Sequence, residues 1–104
     1  MIAMAVRVEL WIDGRVVDGA EQWWDDIEAA LATDERTAEF PMLGRVDAYG
    51  DVLFEREELG ALAAEIRRFM PHARESVRPF LDRLTELCEA GGRGTGAELR
   101  FLGD

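Results

Sequence analysis

The stretch Arg45 to Met70, RVDAYGDVLFEREELGALAAEIRRFM, decides how the chain is read, because within it a turn gives way to the best-signalled helix in the sequence. Asp47, Tyr49, Gly50 and Asp51 are turn-formers set between two short apolar pieces, Leu43 to Val46 and Val52 to Phe54. That pattern predicts a hairpin with a glycine-containing loop. From Glu55 the period changes. Leu59, Leu62, Ile66 and Phe69 recur at steps of three, four and three, which places them on one face of a helix. Glu55, Glu57 and Glu58 fall in its first turn and Arg67 and Arg68 in its last, both complementing the helix dipole, and Pro71 ends it.

Working back toward the start, residues 5 to 12 alternate. Val6, Val8, Leu10 and Ile12 point one way and Arg7, Glu9 and Trp11 the other, the period of a half-buried strand. Asp13-Gly14 offers a two-residue type I′ turn, with Arg15 to Val17 returning so that Val17 lies opposite Leu10 and Val16 opposite Trp11. Asp18 and Glu21 form a capping-box pattern, predicting a helix from Gly19 or Ala20 to Ala32 in which Trp23 or Trp24, Ile27, Ala30 and Leu31 share a face. At most one of the adjacent tryptophans can then point fully inward, and Asp25 and Asp26 lie on the wetter side. Thr33 to Glu39 is polar and aperiodic and reads as a surface loop. Phe40-Pro41-Met42-Leu43 reads as an extended return to the core, since a residue before proline is biased away from helix.

Toward the other end, Val77, Phe80, Leu81, Leu84, Leu87 and Cys88 repeat at helical spacing. Ser76 is the expected cap and Pro79 sits in the first turn; a kinked start nearer His72 is the alternative. This helix is expected to stop at Gly91-Gly92, with GGRGTG a flexible link to a final strand, Ala97 to Leu102. There Leu99 and Phe101 occupy one face and Glu98 and Arg100 the other. The expected fold is a single α+β domain spanning residues 1–104. It has one mostly antiparallel sheet of about 4–5 short strands, the last strand paired with the first, and three helices packed on one face.

Composition narrows the function classes. With 104 residues, 48% of them apolar, the chain has length and material for one core. All twelve basic residues are arginine, Lys and Asn are absent and Ser occurs once, a bias that fits a high-GC bacterial genome. The net charge of −10 is concentrated at the start, where residues 1 to 40 hold three arginines against ten acids. Such a surface repels phosphate backbones and anionic lipid heads, so neither nucleic acid nor membrane is an expected partner. MIAMAV lacks a basic leader, no window approaches a membrane span, and one cysteine, Cys88, is what a reduced cytoplasm leads one to expect.

Motif chemistry is sparse. Asp47, Gly50, Asp51 and Glu58 partly imitate the spacing of a calcium-binding EF-hand loop, but Tyr49 stands where an oxygen ligand is needed and Val52 where the sharp turn needs Gly. His72 is the only histidine and has no ligand set around it in sequence. Cys88 and Ser76 read as a core residue and a cap, not as nucleophiles. Asp25 and Asp26 diverge by about 100° on a helix and cannot face one another as an acid/base pair. GGRGTG follows a helix and precedes a strand, the reverse of a phosphate-binding loop. No enzyme motif, cofactor or metal site is therefore expected.

DAYGDVLF, Asp47 to Phe54, together with the ending LRFLGD, Leu99 to Asp104, resembles a set of small bacterial proteins to which no activity is assigned. They share an Asp, Tyr-Gly-Asp and Phe turn before a helix and a terminal Phe, aliphatic, Gly-Asp. In that pattern Asn commonly follows the Phe, where it would cap the helix; here Glu55 stands in its place. The resemblance implies no substrate or partner.

The reading that follows is a cytoplasmic interaction module binding another protein, expected to be basic, through Trp23, Trp24, Asp25 and Asp26, with Trp11 as a further contact. An immunity-type inhibitor of a basic toxin fits that class by analogy. The alternative is a small-ligand or metal-binding module using the Asp47 to Glu58 turn. A homodimer through the outer sheet face follows if Trp11, Val16 and Leu102 share that face.

Overall fold

A computed structural model describes residues 5–47 and 49–103. Its frame is one four-stranded antiparallel sheet in the order β2-β1-β4-β3, formed by β1 (Ala5–Ile12), β2 (Arg15–Trp23), β3 (Asp51–Glu55) and β4 (Ala97–Leu102). The alternation of β1 and β4 dictates how this frame packs. Val6, Val8, Leu10, Leu99, Phe101 and Phe54 of β3 are buried on one face. Against them lie α4 (Arg56–Phe69) and α5 (Arg78–Arg93). These helices bring Leu59, Leu62, Ile66 and Phe69, then Phe80, Leu81, Leu84, Leu87 and Cys88, into the same core. The two terminal strands pair with each other at the centre of the sheet, as their patterns predict. The fold is α+β, with five α-helices among the described residues in place of the three expected. The additional ones are short: α1 (Asp25–Ala30), α2 (Asp34–Glu39) and α3 (Pro41–Gly44).

The type I′ turn forms at Asp13 (φ 51°) and Gly14 (φ 79°), and Val16 pairs with Trp11 as expected. Leu10, however, pairs with Asp18 and not with Val17. A bulge between Leu10 and Trp11 takes up Val17 as the extra residue. The larger correction is the predicted helix from Gly19 or Ala20 to Ala32. Chain that reads as its first turn and a half is the second part of β2, and only Asp25–Ala30 is α-helical. The capping-box carboxylate has other work. Asp18 Oδ1 accepts from the Gly19 amide at 2.8 Å, and its other oxygen pairs with Arg83 of α5. The ladder to β1 runs the full length of β2, and that long-range pairing outweighs a local capping signal.

Five further expectations are revised. Thr33 to Glu39 is not a loop: Thr33 Oγ1 accepts from the Arg36 amide at 3.2 Å and caps α2, whose lack of any buried residue explains the missing period. Phe40 does avoid helical geometry ahead of proline (φ −126°, ψ 65°), but Pro41 then opens α3 in place of an extended segment. Because Leu43 belongs to α3, it cannot form a hairpin with Val52 to Phe54, and β3 pairs with β4 instead. Ser76 lies in a 3₁₀ turn, Glu75–Val77, and caps nothing; α5 follows with Pro79 in its first turn. It runs through Gly91 and Gly92 to Arg93 because Gly91 is buried, and a β-carbon there would stand 2.5 Å from Leu59 Cδ1. That glycine serves close packing of α5 on α4 and β1.

Two polar ties hold the layers. The Gly19 amide and then Arg83 keep the Asp18 carboxyl below its ordinary range, and Arg45 and then the Glu55 amide do the same for Glu58. Lowered carboxylate values mean that the folded state binds protons less readily than the unfolded one. Their contribution is complete above about pH 5 and is lost as pH falls through and below about 4. Urea unfolding midpoints should therefore hold steady from neutral pH down to about 5 and then decline, the decline being shallower in Asp18→Asn. An identical acid limb in that variant would remove Asp18 from the account.

Candidate functional site

The sheet has a second face, and strand register determines what it carries. One row runs Val16, Trp11, Glu98, Glu55; the next Gly19, Glu9, Arg100, Leu53; a third Glu21, Arg7, Leu102, Asp51; and Trp23 sits beside Ala5 at the end. These side chains are exposed or half-buried, in contrast to the sealed face beneath the helices. Trp23 is 60% exposed, Val16 47% and Leu53 38%. Trp11 is half-buried for a visible reason: the Arg100 guanidinium lies 3.9 Å from its ring centroid, and its indole Nε1 donates to Glu9 Oε1 at 3.2 Å. Glu98 accepts from Arg100 Nε at 3.1 Å, and Glu9 accepts from Arg7 Nε at 2.9 Å. The face holds five acids (Glu9, Glu21, Asp51, Glu55, Glu98) against two arginines (Arg7, Arg100), both already engaged with carboxylates.

The five residues singled out from the sequence are scattered by the fold. Trp11 and Trp23 meet on the outer face. Trp24 does not join them: at 2% exposure it is core, edge-on to Phe80 (6.2 Å) and Phe101 (6.1 Å), and so cannot be a contact residue. Consecutive residues of an extended strand end point to opposite sides, which is why only one indole faces water. Asp25 and Asp26 open α1; Asp25 is half-buried, and Asp26 is exposed with its Oδ1 3.8 Å from Arg74 Nε. Sequence reasoning grouped Trp11, Val16 and Leu102 on this face but missed Leu53 and Arg100 as members of the same patch. The signal was present in the alternation of β1 and β4, whose outward residues had only to be collected as one surface.

The acids of the Asp47 to Glu58 segment are engaged separately. Asp47 Oδ1 accepts from the Tyr49 amide at 2.9 Å, making a local turn, while Glu58 accepts from Arg45 at 2.9 Å and from the Glu55 amide at 3.1 Å, closing the start of α4. Among the described residues no group of three or more His, Cys, Asp or Glu could hold a metal ion. His72 is exposed, its Nδ1 2.8 Å from Arg36 Nη1 and its ring against Phe40. No helix among the described residues is long and apolar enough to cross a membrane.

Cys88 is buried, and burial pushes its thiol up to about 12. Thiolate is the reacting form, so it should resist a disulfide reagent at pH about 8 and react fully once guanidinium unfolds the chain. Rapid labelling of the native protein would contradict its placement.

Compared with protein-family models, curated proteins and solved structures, the chain matches none.

Proposed function

We propose that this chain is a small protein-interaction module that binds a basic protein through the outer face of its sheet. The observation that carries the reading is an exposed indole, Trp23, on a face where carboxylates outnumber arginines five to two. An exposed aromatic ring on a face with a surplus of carboxylates suits an incoming Arg or Lys, which can stack on the indole and pair with a carboxylate such as Glu21 in the next row. The fold already contains one such arrangement in Arg100 over Trp11, flanked by Glu98 and Glu9. The net charge of −10 would speed encounter with a basic surface, as an inhibitor of a basic protein requires. Cytoplasmic residence belongs to the same reading, and the buried, unpaired Cys88 suits it.

A second copy is the competing occupant, because Trp11, Val16 and Leu102 do share this face, the condition that a homodimer sets. Like charge weighs against it: two molecules at −10 repel one another, and the face itself is net acidic.

The test compares wild type with Trp23→Ala as bait against native extract at low and high salt. Truncating so exposed a side chain should change stability by less than about 0.5 kcal/mol. It should nevertheless weaken capture of a basic partner by about 2 kcal/mol or more, roughly thirtyfold, if Trp23 is a hot spot. Salt should weaken wild-type binding as well. A partner retained equally by Trp23→Ala, or one of acidic character, would refute the assignment; a concentration-dependent dimer mass would favour the second copy.

A further inference from the structure

We propose that the basic partner is held by adding an extended segment of its own chain to the free edge of β2, so that the sheet grows from four strands to five. This rests on the outer-face reading and specifies how the partner is bound there. β2 stands at one end of the strand order, and among the described residues no backbone hydrogen bond from outside the sheet reaches it. Along an antiparallel ladder successive residues turn their N–H and C=O to opposite sides, so the free backbone groups can be identified. The Asp13 amide donates to the Gly96 carbonyl at 3.3 Å, toward β4. Counting back along β1 in twos, Trp11, Glu9 and Arg7 therefore bond to β4, while Val8 and Val6 bond to β2. Ala20 and Gln22, the partners of Val8 and Val6, use their backbone groups on β1. Gly19, Glu21 and Trp23 turn theirs to the open side. The Gly19 amide agrees with this direction, since it donates to the Asp18 carboxylate at 2.8 Å. What remains at the edge is the Gly19 carbonyl and both backbone groups of Glu21 and Trp23.

Register then identifies the occupant. Residues paired across an antiparallel ladder share a face, so the incoming residues that bond to Glu21 and Trp23 lie on the outer face, beside the Glu21 carboxylate and the exposed indole. A basic residue opposite Glu21 makes an opposite-charge pair and sits diagonally from Trp23, within reach of its ring. The intervening residues fall beside Ala20 and Gln22 on the helix side, where Arg83 of α5 is already held by Asp18 and Glu86, so small neutral side chains fit there. The segment is thus an extended chain with a basic residue at every second position. β2 also lacks the usual protection of an edge. It has nine residues without proline or lysine, its one arginine stands first, and the bulge at Val17 leaves Asp18 to Trp23 as a regular ladder. The other edge, β3, has five residues and runs straight into α4. A second copy paired about Glu21 would set that carboxylate against its own counterpart, and like charges directly opposite are destabilising.

The probe is a blocked octapeptide of alternating arginine and threonine, followed by amide exchange on ¹⁵N-labelled protein. In the free protein Ala20 and Gln22 should exchange slowly and Glu21 and Trp23 rapidly. The peptide should bind with a midpoint of about 1 mM and, near saturation, slow Glu21 and Trp23 by about fivefold while leaving Ala20 and Gln22 unchanged. Methylating the peptide's arginine amides, which point at β2, should abolish binding up to about 10 mM, whereas methylating its threonine amides, which point away, should change it by less than about threefold. Glu21→Gln should weaken binding by about two- to fivefold. If both methylated peptides bind alike and Trp23→Ala weakens each, edge pairing is overturned and the outer-face reading stands. If the parent peptide does not bind up to about 10 mM, edge pairing is likewise overturned, and Trp23-dependent capture still decides the face. Equal binding by a glutamate-threonine peptide would overturn the basic occupant. Glu21 and Trp23 amides already protected in the free protein would overturn it too, a second copy being the occupant if that protection grows with protein concentration.

Discussion

Replacing Trp24 with alanine should lower folding stability by about 3–5 kcal/mol, while the same change at the adjacent Trp23 should leave it almost unchanged. The difference follows from where one step of β-strand alternation puts each ring. Trp24 is 2% exposed and joins the sheet to α5 by edge-on contacts with Phe101 and Phe80, so its removal leaves a cavity between layers that are each fixed by their own hydrogen bonds. Trp23 is 60% exposed and touches the core with little of its surface. A domain of this size is stable by about 5–15 kcal/mol, so Trp24→Ala can approach complete unfolding. Trp24→Phe keeps much of the volume and should cost about 1–2 kcal/mol, which keeps the comparison measurable. Guanidinium unfolding followed by circular dichroism serves for all three variants. Equal losses at Trp23 and Trp24 would contradict this placement of the two rings, and a reversed order would mean that the strand ends with the opposite facing.

Which parts of this architecture could be read from the sequence follows from how local their causes are. α4 was legible because Leu59, Leu62, Ile66 and Phe69 state its period within its own turns, and all four are buried. β1 and β4 were legible for the same reason, at period two, and their pairing followed from both needing the same core. β2 was not. Of its nine residues only Ala20 and Gln22 are even half-buried, so it has almost no alternation of its own and is a strand because β1 offers it a ladder. The candidate site suffered from the same misreading. Treating Gly19 to Ala32 as one helix grouped Trp23, Trp24, Asp25 and Asp26 as a helical surface. As a strand end and a separate short helix, the segment sends Trp23 to the outer face, Trp24 to the core and the aspartates to the start of α1. Trp11 was placed correctly opposite the core residues of β1, and its neighbours Arg100 and Leu53 became visible only once the register across β4 and β3 was known.

Replacing Glu65 with alanine should cost about 3 kcal/mol, although the change removes a charge from an apolar helix face. Glu65 is three residues after Leu62 and four before Phe69, so the spacing that defines the buried side of α4 includes it, and at 3% exposure it is buried. It is kept there by α3, a helix of one turn with no capping side chain of its own. Glu65 Oε1 accepts from the Met42 amide at 3.2 Å and Oε2 from the Leu43 amide at 2.6 Å, closing the start of α3 from across the core. Alanine would leave both amides without acceptors where water has little access, a loss larger than the desolvation relieved by removing the carboxylate. Glu65→Gln is the sharper test. It is nearly isosteric and keeps one acceptor, but turns an NH₂ group toward the other amide, so it should still lose about 1–2 kcal/mol. Amide exchange at Met42 and Leu43 should accelerate more than at Leu62 or Ile66 in both variants, because α3 opens before the α4 ladder does. Loosening α3 should leave Trp23-dependent capture of a basic partner intact, because Trp23 lies on the opposite face of the sheet. Unchanged exchange at Met42 and Leu43 in Glu65→Gln would show that the buried carboxylate is not what holds α3 in place.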